Sequence, residues 1–180
     1  MCLALQMFDS PSFCHDLECP EFTVLEQLPI KDVELRAYPA TTWVSTTVSG
    51  ISYDEAVGTG FMRLFKYISG ENMKEEKIAM TAPVVVDVNP GPGPTCGTEF
   101  TISFFSPVAD PPEPSSKLVF VQPAEAANYY VMSYGGWATE KEVLKRAKEL
   151  ADVLTSLGRK FDDSTFVTAG YDSPFRLLRR

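Results

Sequence analysis

The sequence holds a single histidine, His15, in 180 residues. That scarcity excludes a histidine-rich metal site and removes the usual base from any Ser-His-Asp or Cys-His arrangement. Positive charge is also short. Sixteen Lys plus Arg stand against 24 Asp plus Glu, a formal charge of −8. Nucleic acid and anionic membrane both reward clustered cations, so neither is an expected partner. No apolar run approaches the roughly 20 residues that a transmembrane helix needs. The opening Met1-Cys2-Leu3-Ala4-Leu5 is shorter than the roughly 7–15 apolar residues of a signal-peptide core. A soluble, cytoplasmic chain is the expectation, with a secreted one as the alternative if the N-terminus is incomplete.

Cysteine is sparse and lopsided. Cys2, Cys14 and Cys19 precede residue 20, and Cys96 stands apart. A Cys14–Cys19 or Cys14–Cys96 disulfide suits an exported protein, and reduced thiols in a surface tail suit a cytosolic one. Cys14, His15 and Cys19 put three soft ligands within six residues, but the spacing and the lack of a second ligand pair fit no zinc finger or ribbon. Phosphate cradles are missing too. The glycines of Asn89-Pro90-Gly91-Pro92-Gly93-Pro94 alternate with prolines that have no N–H to offer. No G-x-S-x-G, H-E-x-x-H or paired-carboxylate arrangement stands out. The expected role is therefore non-enzymatic.

What is present is an ordinary globular composition, 44% apolar and 22% charged. A chain of this length buries about 70% of the surface that its unfolded form exposes, enough for a real core. Residues 1–28 lack a sustained period and read as an irregular arm, leaving residues 29–180 as one domain. Val33-Glu34-Leu35-Arg36-Ala37-Tyr38 alternates, and Trp43-Val44-Ser45-Thr46-Thr47-Val48 is rich in β-branched and aromatic types, so both read as strands. Ser52-Tyr53-Asp54-Glu55 has the form of a capping box. Val57, Phe61, Leu64, Phe65 and Ile68 follow at helical spacing, and Gly70 ends the helix. Residues 77–88 and 100–106 read as further strands, and the proline-dense stretches 89–97 and 107–116 as loops.

The second half repeats the plan. Residues 119–121 and 129–134 read as strands, and Thr139-Glu140-Lys141-Glu142 is a second capping box, 87 positions after the first. Val143, Ala147, Leu150, Ala151, Leu154 and Leu157 then make a helical apolar face that Gly158 stops. Thr168-Ala169 lies at the same offset from Thr81-Ala82. The spacing predicts two ββαββ units, about residues 30–106 and 117–180. The expected fold class is α+β, with the sheets joined into one strongly curved sheet or barrel flanked by two helices.

The first helix is the most unusual surface. Phe61, Met62, Phe65 and Tyr67 give it more aromatic and thioether area than one packing face needs, with Arg63 and Lys66 between them. These residues suit either a core face with solvated cations or a seat for a flat apolar ligand that carries acid groups. Met80, in the strand 77–84, could line the same pocket or simply pack in the core.

Taken together, Val33–Tyr38, Gly60-Phe61-Met62-Arg63-Leu64-Phe65-Lys66-Tyr67-Ile68-Ser69-Gly70, the string Met80-Thr81-Ala82-Pro83-Val84, Tyr134-Gly135-Gly136 and Ala169-Gly170-Tyr171-Asp172-Ser173-Pro174 resemble the SOUL/heme-binding protein family over roughly residues 30–180. The resemblance implies a distorted β-barrel with two helices, and non-enzymatic binding of heme or other tetrapyrroles in a shallow apolar groove beside the first helix. The expected role is heme buffering or transport. By position, Lys66 carries over a cation for a propionate, Phe61 and Phe65 stand where relatives have methionines, and Gly58 stands where they have an arginine. The expected groove residues are thus Phe61, Met62, Arg63, Phe65, Lys66 and Met80. Axial ligands, if iron is ligated, would come from Cys19, in its Cys-Pro dipeptide, from His15, or from a Met or Tyr side chain. The family also suggests an alternative: a protein-interaction module, linked to cell death or mitochondrial permeability, that works through a stretch of the second helix at residues 144–158.

Overall fold

The computed structural model describes residues 11–50, 52–89 and 98–171. Among these described residues two helices accompany eight strands in two antiparallel sheets, an α+β architecture. A 3-10 turn, Ser12–Cys14, precedes β1 (Thr23–Gln27), β2 (Val33–Tyr38) and β3 (Thr41–Ser49). Helix α1 (Tyr53–Ile68) leads to β4 (Val84–Asn89), β5 (Glu99–Ser106), β6 (Phe120–Ala124) and β7 (Ala127–Met132). Helix α2 (Glu140–Ser156) and β8 (Phe166–Gly170) follow. Strand order is β1-β2-β7 in the smaller sheet and β6-β3-β5-β4-β8 in the larger.

The two sheets share one bent ribbon. In the smaller sheet Val33 pairs with Met132 and Tyr38 with Ala127. In the larger, Thr41 pairs with Ala124 and Ser45 with Phe120, so both strands advance by three residues across the junction and the register is kept. Pro39 and Ala40 on one side, and Glu125 and Ala126 on the other, interrupt the ladder and turn it. Proline has no N–H to donate, so the ladder breaks there. Among the described residues no ladder closes the sheets into a barrel.

The larger core lies between α1 and the five-stranded sheet. Strand alternation sends Val44 and Val48, Val86 and Val88, and Phe100, Ile102 and Phe104 toward Ala56, Phe61 and Leu64 of the helix. Leu64 and Ile102 are fully buried, each contributing about 1.5–3 kcal/mol relative to exposure. A smaller core sets Leu154 of α2 against Leu28 and Val33, with Leu35, Tyr130, Met132, Leu150, Leu157 and Phe161 packed around them.

Two expectations change. Thr23–Gln27, inside the segment read as an irregular arm, is an ordered strand because it pairs with β2. A bulge at Leu25 in that strand spoils the alternation that would have revealed it. Residues 77–83, read as the first half of a strand, stay outside the ladder up to Pro83, and β4 begins at Val84. The loop expected at 89–97 lies almost wholly outside the described residues, as do residues 172–174 of the C-terminal motif.

Candidate functional site

Helix α1 begins after Ser52, whose backbone is extended; its hydroxyl donates to Glu55 Oε2 at 3.3 Å and accepts from no backbone N–H, so the capping box expected there does not close. Asp54 and Glu55 in the first turn and Lys66 in the last complement the helix dipole. The inner face buries Tyr53, Ala56, Gly60, Phe61, Leu64, Tyr67 and Ile68. The outer face leaves Asp54, Glu55, Gly58, Thr59, Met62 and Lys66 exposed. Gly58, Met62 and Lys66 follow one another at i, i+4 and i+8, a strip about 12 Å long.

The helix divides the six residues expected in the groove. Phe61 is only 5% exposed and belongs to the core: its ring meets Phe104 edge-on at 5.3 Å. Phe65 stacks on Phe61 at 5.9 Å and is half-buried, so it is the part of the aromatic pair nearer the surface. Met62 is 47% exposed, high for a large apolar side chain. Arg63 is held sideways by β3: its Nη1 donates to the Thr47 carbonyl at 3.1 Å and to Thr46 Oγ1 at 3.3 Å. Lys66 is exposed and forms no ion pair with a described residue. Met80 is half-buried and packs on the core. The surface that remains for a ligand is Met62, Lys66 and the outer edge of Phe65, with Gly58 one turn before Met62.

Gly58 and Gly60 differ sharply. A Cβ at Gly60 would stand 2.6 Å from Ile102 Cδ1, so glycine lets α1 approach β5. A Cβ at Gly58 would meet nothing within 4 Å. A glycine inside a helix costs roughly 0.5–1 kcal/mol relative to alanine, and packing does not account for that cost at position 58.

Two surface hollows lie elsewhere. One, of about 620 Å³, opens at the ribbon's bend beside Glu21, Phe22, Tyr38 and Asn128. The other, of about 340 Å³, lies along residues 113–121. Neither is lined by α1. The charged side chain lining the first is the carboxylate of Glu21, which would repel an acidic ligand, whereas the α1 strip carries Lys66.

The candidate ligands in the N-terminal arm are placed differently from expectation. Cys14 and Cys19 are joined in a disulfide, so Cys19 has no thiolate to give to a metal, and the reduced tail thiols are corrected to a bridge. His15 lies inside the bridged loop at φ 55°, exposed, and away from α1 in the chain. Among the described residues no group of three or more His, Cys, Asp or Glu could hold a metal ion.

Beside the bridge stands a cluster that the sequence reading missed. Arg36 is buried, pairs with Glu34 at 2.7 Å, and lies 4.3 Å from the Phe22 ring centroid and 5.7 Å from that of Phe13. Phe13 also meets Tyr171 edge-on at 4.7 Å. Burial, reinforced by Tyr38 and opposed by Arg36, pushes the Tyr171 hydroxyl up to about 12. Burial alone would lower the Arg36 guanidinium, but its bonds to Tyr38 and Glu34 raise it. In sequence Arg36 is one residue of an alternating strand. Its aromatic neighbours come from positions as distant as 13 and 171, and no local signal joins them.

Helix α2 turns its own apolar face inward: Val143 and Leu154 are buried, and Leu150 and Leu157 pack around the smaller core. Its outer face is charged, with Arg146 bonded to Glu142 at 2.8 Å and to Glu149 at 2.9 Å.

Comparison with known proteins agrees with the resemblance. The model of the SOUL heme-binding protein family matches residues 17–180. Human heme-binding protein 2 is 40% identical over 150 residues, which cover 82% of this chain and 73% of the relative. Its mouse counterpart is 38% identical over 169 residues, 91% of this chain and 82% of the relative. Heme-binding protein 1 of Xenopus laevis is 30% identical over 146 residues, covering 79% of this chain and 76% of the relative.

Proposed function

From the premise that this chain belongs to the SOUL heme-binding protein family, we propose that it binds heme or a related tetrapyrrole without chemistry, on the outer face of α1. The observation that carries this placement is the exposed strip Gly58–Met62–Lys66 beside Phe65. A flat macrocycle would lie against Met62 and the edge of Phe65, approach the backbone closely at Gly58, and set an acid group against Lys66. With Arg63 held by β3, Lys66 is the remaining cation of that surface. One exposed ion pair contributes little, which favours weak, reversible binding suited to buffering or transport.

The finer fold reading belongs to the same proposal. Two repeated units form one strongly curved, distorted barrel, and the ribbon that pairs β2 with β7 and β3 with β6 in a single register supports it, since each unit lends corresponding strands to the other. The Cys14–Cys19 bridge favours the secreted alternative over the cytoplasm, where glutathione keeps thiols reduced.

Titration of the purified protein with hemin, and with iron-free protoporphyrin beside it, tests the placement. Saturable one-to-one binding of both is expected, weakened about three- to tenfold by Lys66→Glu. Unchanged affinity in that variant would remove the ligand from α1.

A further inference from the structure

We infer that the outer face of α1 selects among tetrapyrroles by where they carry their acids, admitting a macrocycle with carboxylates along one edge and rejecting one that carries them on the opposite edge too. The selecting residues are Asp54 and Glu55. The inference rests on the ligand placement proposed above and adds which members of that class fit it.

Asp54, Gly58, Met62 and Lys66 succeed one another at four-residue steps. At about 100° per residue these four and Glu55 share an arc of about 120° around the helix. All five are exposed. Asp54 and Lys66 stand about 18 Å apart along the axis, with Gly58 and Met62 between them. The face is therefore electrically polar. Two carboxylates mark its first turn, Gly58, Thr59 and Met62 make an uncharged middle, and the Lys66 ammonium marks its last turn. Neither Asp54 nor Glu55 forms an ion pair with a described residue. Arg63, the other cation of the helix, lies outside the arc and is bonded to Thr46 and Thr47 of β3. A bare helix N-terminus attracts anions with about half a positive charge. Two carboxylates on that turn outweigh it and reverse the sign.

A macrocycle resting on Met62 turns one edge toward Lys66 and the opposite edge over Gly58, one turn short of Asp54. Acids on the first edge meet the ammonium, while an apolar far edge meets bare backbone at Gly58. Acids on both edges would set the second group against Asp54 and Glu55. Rotating such a ligand in its own plane brings no relief, because each orientation turns an acid edge toward the carboxylates. One like-charge pair roughly 8 Å apart in water weakens binding about twofold, and several such pairs multiply. Lys66 thus sets the orientation, and the first turn sets how many edges may be charged.

The test titrates the full chain with two iron-free porphyrins. Protoporphyrin carries its propionates on two adjacent pyrrole rings, and coproporphyrin III has further propionates in place of the vinyl groups on the other edge. The readout is the ratio of the two affinities in one protein, which a general loss of helix stability does not move. Coproporphyrin is also less apolar, but that difference is the same for every variant. In Asp54→Asn/Glu55→Gln the preference for protoporphyrin is expected to narrow at least about threefold at roughly 0.01 M salt, and by much less at about 1 M, where charges are screened within about 3 Å. Glu21→Gln/Glu125→Gln, at the ribbon's bend, changes the net charge equally and is expected to leave the ratio in place. An unchanged ratio in Asp54→Asn/Glu55→Gln, or equal narrowing in both variants, overturns the selection. If protoporphyrin still binds and Lys66→Glu still weakens it, the α1 placement survives that result. Failure of the wild-type chain to bind either porphyrin overturns the placement, and the selection with it.

Discussion

Replacing Gly58 and Gly60 separately by alanine should move stability in opposite directions, although both sit in the same helix. Each change gains roughly 0.5–1 kcal/mol of helix propensity. At position 58 nothing opposes the gain, because the new methyl meets no atom within 4 Å. At position 60 the methyl would stand 2.6, 2.7 and 2.9 Å from Ile102 Cδ1, Cγ1 and Cβ. Ile102 is fully buried, β-branched and fixed in the middle of β5, so it has no room to turn away. Overpacking of this kind costs about 1–3 kcal/mol, which outweighs the propensity gain. Gly60→Ala should therefore lose about 1–2 kcal/mol net, and Gly58→Ala should gain about 0.5–1 kcal/mol. Urea unfolding reads both, and for a domain of this size each kcal/mol moves Tm by about 2–4 °C. Ile102→Val removes the atom nearest the clash, so its usual cost of about 0.5–1.5 kcal/mol should shrink in the Gly60→Ala background. A Gly60→Ala protein as stable as wild type would refute the close approach of α1 to β5.

Three further outcomes follow from buried groups. Tyr67→Phe strands the Pro112 carbonyl, which now accepts from the Tyr67 hydroxyl at 2.6 Å, and should cost about 1–2 kcal/mol in urea unfolding, with a smaller loss pointing to water replacing the hydroxyl. Arg36→Leu removes the partner of Glu34 and the cation between Phe13 and Phe22. It should cost about 2–4 kcal/mol, somewhat under the usual loss for a fully buried pair because Glu34 keeps 20% of its side chain exposed. Burial raises Glu34, but bonds from Arg36 and Gln27 hold it below the ordinary 4.5. Its stabilising contribution is thus present above 4.5 and lost as pH falls through the lowered value, and Arg36→Leu should flatten that acid limb of the stability curve. Asp87 shifts the other way: burial raises it above the ordinary 3.8. The folded state therefore favours its protonated form, and stability is lost as pH rises through the raised value. Asp87→Asn should stabilise the protein at pH 7, and an advantage that persisted well below pH 3.8 would contradict this.

Much of the architecture is legible because the signals are local and periodic. Val33–Tyr38 alternates and is β2; both helices begin right after the residues read as caps, Ser52 and Thr139; Gly158 sits at φ 64° past the end of α2. What could not be read depends on distant partners. Thr23–Gln27 becomes a strand only because β2 lies beside it. Phe61 and Phe65 are chemically alike and four residues apart, yet one faces Phe104 in the core and the other lies half at the surface. Arg63 and Lys66 are both cations, and only the nearness of β3 commits the first. Periodicity identified the helix as unusual. The division of its residues between core and surface needed the sheet.

That division also bears on what α1 is for. The inner face explains itself: Gly60 makes room for Ile102, and Phe61, Leu64 and Tyr67 fill the core. The outer face holds two features that folding alone does not favour, a mid-helix glycine with open space around it and a methionine 47% exposed. Either alone would be unremarkable, since single apolar side chains on a surface are common. They stand one turn apart on the same strip, with Lys66, which forms no ion pair with a described residue, one turn further on and the edge of Phe65 beside them. A solvated face is better built from alanine and charged residues, which propensity favours at all of these positions. The ligand proposed above, flat, apolar and bearing an acid group, would account for these features together: low relief at Gly58, soft contact at Met62 and Phe65, and charge at Lys66. It follows that Gly58→Ala should trade function for stability, raising Tm while weakening porphyrin binding. Gly58→Ala with unchanged porphyrin affinity would mean that the ligand does not approach the helix at that turn.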